Sequence, residues 1–306
     1  MKPRPACSTQ VNSGSVAGNG WEWRLLTRTL VTLCCVGASA CQSVPNVVRV
    51  ATTTSVESSG LLAAVLPAFE RQAGVRVEVL AVGSGRALNL LTRGEVTVGL
   101  THDPAAEASA LAAGTITHYR KIMFNDFVIV GPPDDPADVA QASDAGDAFA
   151  RIAAGGVRFV SRADASGTFS REQELWALAG RRPPRHLLLE TGQGMGGALR
   201  VTGEMGAYTL SDRATFEQFR SGLRLASLYE GGSELLNTYA IFVRAESAGP
   251  ERAAATALTD WFADAEGRDL VAAFVANGRT VFNVWPAGTP RSRPADLPPA
   301  ALANAR

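Results

Sequence analysis

The sequence predicts an α/β protein of two lobes, each a mainly parallel sheet flanked by helices. From residue 46 onward, short apolar runs rich in β-branched residues alternate with segments of helical period, as in a parallel sheet covered on both faces. The chain has 306 residues, 46% hydrophobic and only 19% charged, enough for a large core divided between two lobes. Three loops of small hydrogen-bond donors, residues 52–55 (TTTS), 83–85 (GSG) and 161–168 (SRADASGT), each follow such an apolar run.

Residues 47–51 form the first predicted strand. Beyond TTTS, Leu61, Leu62, Val65, Leu66 and Phe69 recur at helical spacing, with Ser58 or Ser59 as cap and Gly74 as stop. Pro67 falls inside this pattern and predicts a kink or a split. Residues 75–82 are the second strand, 87–93 the second helix and 96–100 the third strand, followed by Thr101, His102, Asp103 and Pro104. A strand is expected at 127–130, and residues 131–136 (GPPDDP) interrupt any regular element.

A second cycle then begins, with a helix at 143–154, a strand at 157–160, the SRADASGT loop and a helix at 170–180. Residues 192–197 (GQGMGG) precede a helix at 198–203. Strands at 208–210, 223–228 and 239–243 follow, then helices at 252–265 and 268–276. From Trp285 the chain is rich in Pro and Ala and reads as a cap or as loose chain. The boundaries are thus residues 46–130 with 240–290 for lobe one, 131–239 for lobe two and 291–306 for a tail, with crossings near 128–132 and 235–240.

Residues 1–40 have the layout of a secretory signal peptide. Arg24 and Arg28 precede the apolar run 30–36, and small residues 37–40 lead into Cys41. Cys41 in this setting resembles the lipidated first residue of a bacterial lipoprotein, which predicts an extracytoplasmic, membrane-anchored protein. Ala38 stands where such boxes usually carry leucine, which leaves plain cleavage after Ala40 as the alternative. All four cysteines, Cys7, Cys34, Cys35 and Cys41, fall in this stretch, so the remainder has no thiol for a disulfide or a metal site. The 29 basic residues match the 29 acidic ones and no Lys/Arg-rich run occurs, which argues against a nucleic-acid partner.

The three donor loops lie at carboxyl ends of predicted strands, where open α/β sheets bind ligands. Hydroxyls and turn N–H groups suit a tetrahedral oxyanion that carries no proton at neutral pH. Arg162 is either a surface residue or a fork to two anion oxygens, and its place behind an apolar strand favours the fork. Asp164 either pairs with Arg162 and caps the turn or serves as acceptor for a protonated anion such as phosphate; the pairing is the simpler expectation. Ser166 is read as an N-cap or an anion contact. A serine hydrolase using Ser166 is the alternative from another class, but DASGT is not a nucleophile elbow and none of His102, His118 and His186 has the surroundings of a base. No cluster at metal-ligand spacing occurs, and GQGMGG lacks the upstream parallel strand and acidic partner of a dinucleotide site.

Several runs in order, ATTTS with ESSGLL, VGSGRAL, THDPAAE, MFNDFVIVGPPDDP, FVSRADASGTFSREQELW, GQGMGGAL, AYTLSDRATF and LLNTYAIF, resemble the tungstate-binding proteins of bacterial ABC uptake systems. The resemblance implies a two-lobe periplasmic-binding-protein-like fold of type II, no enzymatic activity and no cofactor. It implies tungstate as ligand, with molybdate or phosphate as alternative oxyanions, and a permease with its ATPase as partners of a monomer. It also implies ligand contacts from Thr53, Thr54, Ser84, Arg162, Ser166 and Thr168, completed by backbone around Met195 and Gly196. Ala163 stands where the family usually has glycine, which should limit positive φ there, and Phe169 where histidine is usual.

Overall fold

A computed structural model describes residues 46–299. The predicted signal peptide, Cys41 and residues 300–306 lie outside the described residues. The chain divides into the units Met1–Cys41 and Gln42–Arg306, and every described residue belongs to the second.

Strands β1 (Asn46–Thr53), β2 (Val75–Val82) and β3 (Val98–Thr101) form a parallel group with β1 in the middle. Helices α1 (Thr54–Ser58), α2 (Leu61–Ala73) and α3 (Ser84–Thr92) fall between them. The periodic residues of α2 are its buried face, and Gly74 ends it at φ 64°, where a side chain would be strained. Its N-cap is Gly60, while the expected Ser59 accepts from Leu61 N at 3.2 Å. Pro67 leaves α2 unbroken. Both Pro67 and Ala63, whose carbonyl loses its donor, lie on the exposed face, where water can replace the missing partner.

Helix α4 (Pro104–Ala112), which the sequence pattern missed, is capped by Asp103 and leads into β4 (Ile116–Gly131). Only the last part of β4 was legible as a strand. Register shifts between Thr117 and Arg120 and between Lys121 and Met123, with His118 at φ 52°, break the alternation that marks a strand. Then come α5 (Ala145–Ala154), β5 (Phe159–Ser161), α6 (Gly167–Ala179), β6 (Leu188–Glu190) and α7 (Met195–Met205). They are followed by β7 (Thr209–Asp212), α8 (Arg213–Phe219), β8 (Ala226–Glu230) and β9 (Leu236–Arg244). The chain closes with α9 (Gly249–Trp261), α10 (Ala265–Ala273), β10 (Val275–Ala276), β11 (Arg279–Thr280) and β12 (Asn283–Val284).

The main sheet runs β12-β4-β9-β3-β1-β2, with β7 and β8 also on β4. It is mixed: β9 is antiparallel to both β3 and β4, and β7, β8 and β12 are antiparallel to β4. Among the described residues parallel pairing is confined to β1 with β2 and β3, to β5 with β6, and to a bridge between Phe159 and Tyr208. The physical reason is that β4 leaves the first half of the sheet and β9 returns to it, so the two run in opposite senses side by side. The early part of β4 packs with Val48, Val50, Leu62, Val65 and Ile241. Its later residues Phe127 and Ile129 pack instead with Phe149, Phe159, Trp176 and Leu210.

The segment after Trp285 is anchored to the fold, with Lys121 N donating to Arg291 O at 2.7 Å. Trp285 is fully buried; its N donates to Ile122 O at 2.9 Å and its Nε1 to Pro290 O at 3.0 Å. The β10–β11 turn reaches α8, where Asn277 Nδ2 donates to the carbonyls of Glu217 and Gln218.

Close packing in the sheet makes Gly99 on β3 intolerant of change, since a Cβ there would lie 2.3 Å from Phe242 Cε2 and 2.7 Å from Leu91 Cδ1. Gly99→Ala should destabilise the fold by about 1–3 kcal/mol, read as a lower urea midpoint at unchanged slope.

Candidate functional site

Four helix starts meet where the donor loops were predicted. Helices α1, α3, α6 and α7 begin after Thr53, Gly83, Ser166 and Gly194. Their first turns carry free N–H groups and positive dipole ends. The turns approach one another closely. A Cβ on Gly83 would lie 3.2 Å from the Asp164 carbonyl oxygen, and one on Gly194 would lie 3.2 Å from Thr54 Oγ1.

Arg162 is the hub of this arrangement. It follows β5 and is buried. Its Nε donates to Asp164 Oδ2 at 3.1 Å and its Nη2 to the same oxygen. Nη1 donates to Thr168 Oγ1 at 3.4 Å, and Nη2 crosses to Thr54 Oγ1 at 3.2 Å. Asp164 therefore pairs with Arg162, as expected, and its Oδ1 is buried without a hydrogen-bond partner among the described residues. The loop reaches this geometry through Ala163 at φ 47° and Ala165 at φ 53°. The expectation that alanine at 163 would limit positive φ is thus corrected: the backbone takes the left-handed conformation and carries its cost of roughly 1–2 kcal/mol.

The hydroxyls around the guanidinium are largely unspent. Thr54 and Thr168 accept from Arg162, and Ser166 Oγ accepts from Phe169 N at 3.2 Å as the cap of α6. Each keeps its own hydrogen to donate. Ser84 Oγ is buried with no hydrogen-bond partner among the described residues. Thr53 differs: it caps α1 by accepting from Val56 N and lies 3.1 Å from Ser55 Oγ. Met195 is packed among Val160, Ala198 and Leu199, so α7 presents backbone rather than side-chain donors near Met195 and Gly196.

Several neighbours were missed at the sequence level. His102 Nε2 lies 3.2 Å from Ser55 Oγ. Burial, then the Arg162 charge, lowers its pKa to about 4 against the opposing effects of Asp103 and Asn237. Asp212 caps α8 through Thr215 N at 2.9 Å, and burial raises its pKa against the Thr215 bonds and Arg162. Thr215 Oγ1 donates to Ser55 O at 3.3 Å, and Ser170 Oγ to Asp103 Oδ2 at 2.9 Å, tying α8 and α6 to the first half. Glu172 on α6 accepts from Ser161 Oγ at 2.8 Å and Trp176 Nε1 at 3.2 Å, and burial lifts its pKa to about 7. A signal was present for His102, Asp212 and Asn237, since each is a polar residue beside or inside an apolar run.

Ser166 caps a helix and no histidine contact to it is present among the described residues, because His102 meets Ser55 and His118 meets Asp260 at 2.8 Å. The Ser55–His102 pair has nucleophile–base spacing, but an imidazole with a pKa near 4 is a poor base at neutral pH. Among the described residues no group of three His, Cys, Asp or Glu is placed to hold a metal. The GQGMGG run does follow a parallel strand, β6, contrary to expectation. That strand was hidden because it is three residues long and half exposed.

Comparison with known proteins gives a consistent result. The family described as PBP superfamily domain matches residues 39–266. The tungstate-binding protein TupA of Peptoclostridium acidaminophilum is 39% identical over 193 residues, 62% of this chain and 68% of the relative. The crystal structure of the tungstate ABC transporter from Geobacter sulfurreducens superposes with a TM-score of 0.69 at 38% identity, covering 74% of this chain and 98% of that one. The tungstate-binding protein TupA from Desulfovibrio alaskensis G20 gives 0.66 at 34% identity, with 78% and 98% covered.

The raised pKa of Glu172 makes a signed prediction. The folded protein binds a proton at this carboxyl up to about pH 7, while the unfolded chain releases it near 4.5. The contribution of Glu172 to stability is therefore full below 4.5 and is lost as pH rises to 7. Relative to wild type, Glu172→Gln should remove that downward slope, measured by urea unfolding between pH 4.5 and 8.

Proposed function

The chain belongs to the PBP superfamily, and from that membership we propose that it is an extracytoplasmic solute-binding protein that captures tungstate for uptake by an ABC transporter. It is a carrier and not an enzyme. The observation that carries this reading is the donor set around Arg162: Thr54, Ser84, Ser166 and Thr168 each hold a hydroxyl hydrogen that no neighbour takes among the described residues. A small dianion without a proton needs donors alone, and these donors come from turns after β1 and β2 of the main sheet and after β5 of the two-stranded sheet.

Residues 46–130 with 240–290 act as one lobe and 131–239 as the other, flexing where β4 and β9 cross between them. Arg162, Ser166 and Thr168 close onto an anion held by Thr53, Thr54 and Ser84, with backbone N–H groups near Met195 and Gly196 completing the shell. The loaded, monomeric protein delivers the ion to a permease and its ATPase, tethered through a lipid on Cys41.

A phosphate-type carrier is the second reading, and one observation favours it. The buried, unpartnered Oδ1 of Asp164 is an acceptor of the kind a protonated oxyanion needs. Calorimetric titration with tungstate, molybdate, sulfate and phosphate separates the two. Tungstate is expected to bind tightest; equal or tighter phosphate binding overturns the tungstate reading. Arg162→Ala should weaken tungstate by at least about tenfold, since it deletes a charge-assisted contact worth roughly 1.5–3 kcal/mol, and an unchanged affinity removes Arg162 from the shell.

A further inference from the structure

Thr53 stands apart from the other predicted contacts because its hydroxyl has two partners within the protein. Its Oγ1 accepts from Val56 N at 3.3 Å and lies 3.1 Å from Ser55 Oγ, which in turn lies 3.2 Å from His102 Nε2. Each hydroxyl has one hydrogen to give, and a neutral imidazole has one as well. The hydrogens in such a line must all point the same way. With Nε2 bare, Ser55 donates to the ring and Thr53 donates to Ser55, which leaves Thr53 nothing for an anion. With the hydrogen on Nε2, Ser55 accepts it and donates to Thr53, and the Thr53 hydrogen turns outward.

The packing around the ring decides between these directions. Nδ1 is buried against the start of α6: a Cβ on Gly167 would lie 2.9 Å from Nδ1 and 2.7 Å from the His102 carbonyl oxygen. Nδ1 has no hydrogen-bond partner among the described residues. A hydrogen placed there would need the Asn237 amide, whose Oδ1 is likewise without a partner among the described residues, to shift onto it, whereas a hydrogen on Nε2 is used by Ser55 where it stands and leaves only a lone pair unmet.

We infer that His102 is a positioning residue whose Nε2–H sets the direction of the Ser55 and Thr53 hydroxyls, so that Thr53 donates to the bound oxyanion. This deepens the tungstate reading and rests on it. The ring is uncharged at neutral pH, with its pKa near 4, so it has one hydrogen to place.

The test combines nitrogen NMR of histidine-labelled wild-type protein with affinity measurements. With tungstate bound, His102 should show a protonated Nε2 and a bare Nδ1. A hydrogen on Nδ1, held by the neighbouring Asn237 amide, overturns the inference. His102→Leu should weaken tungstate by about tenfold, and His102→Gln, which keeps an N–H near the ε position, should recover most of that loss. In the double variant with Thr53→Val, binding should be no weaker than in Thr53→Val alone, whereas additive losses would show that His102 does not act through Thr53. If wild-type protein binds no tungstate, the functional reading fails by itself, and the tautomer in anion-free protein still decides the direction of the line.

Discussion

A buried guanidinium is tolerable only when its donors are met, and in this chain the partners of Arg162 come from turns after strands of two different sheets, β1 of the main sheet and β5 of the β5–β6 pair. Asp164 in its own loop takes two of its N–H groups, Thr168 at the start of α6 takes a third, and Thr54 across the interface takes a fourth. The last contact joins the loop after β5 to the turn after β1. The left-handed alanines at 163 and 165, the glycine turns at 83 and 194, and the caps at Ser166 and Thr53 are consistent with a loop cluster shaped around that cation. Strain of this kind persists where surrounding structure over-determines it.

The charges near Arg162 are muted. His102 is neutral well below physiological pH, and burial moves both Asp212 and Glu172 toward their protonated forms. Two potential anions and one potential cation are thereby weakened at sites that would otherwise compete with, or repel, a ligand. Asp164 is the exception, since it is paired directly with the guanidinium. The field that an oxyanion meets is then set chiefly by Arg162, by Asp164 and by oriented dipoles.

Much of this was legible in the sequence, and the omissions have physical causes. The β2 strand and the buried face of α2 could be read because apolar residues recur with a single period. Most of β4 could not, because its bulges at Thr117–Arg120 and Lys121–Met123 shift the period and leave polar residues such as Lys121 buried against Thr238. Helices α4 and α8 were missed although Asp103 and Asp212 cap them, since α4 is a short alanine-rich run with no apolar stripe and α8 is only 7 residues long. The donor loops around Arg162 were read from composition and strand ends, and their individual contacts from the family resemblance. Residues acting behind them, His102 and Asp212 above all, were not, because a pattern of types does not report which hydroxyl a ring nitrogen faces.

The two strands that run between the halves are laddered to each other, with Asn125 opposite Asn237 and Asp126 opposite Leu236. Two separate tethers would let the halves slide, rock and rotate independently. A hydrogen-bonded pair resists stretching along its length and shearing in its plane, because either would break the ladder, yet it bends and twists readily out of plane. For the two lobes proposed above, such a pair would leave bending and twisting as the soft modes by which the donor turns arrive together.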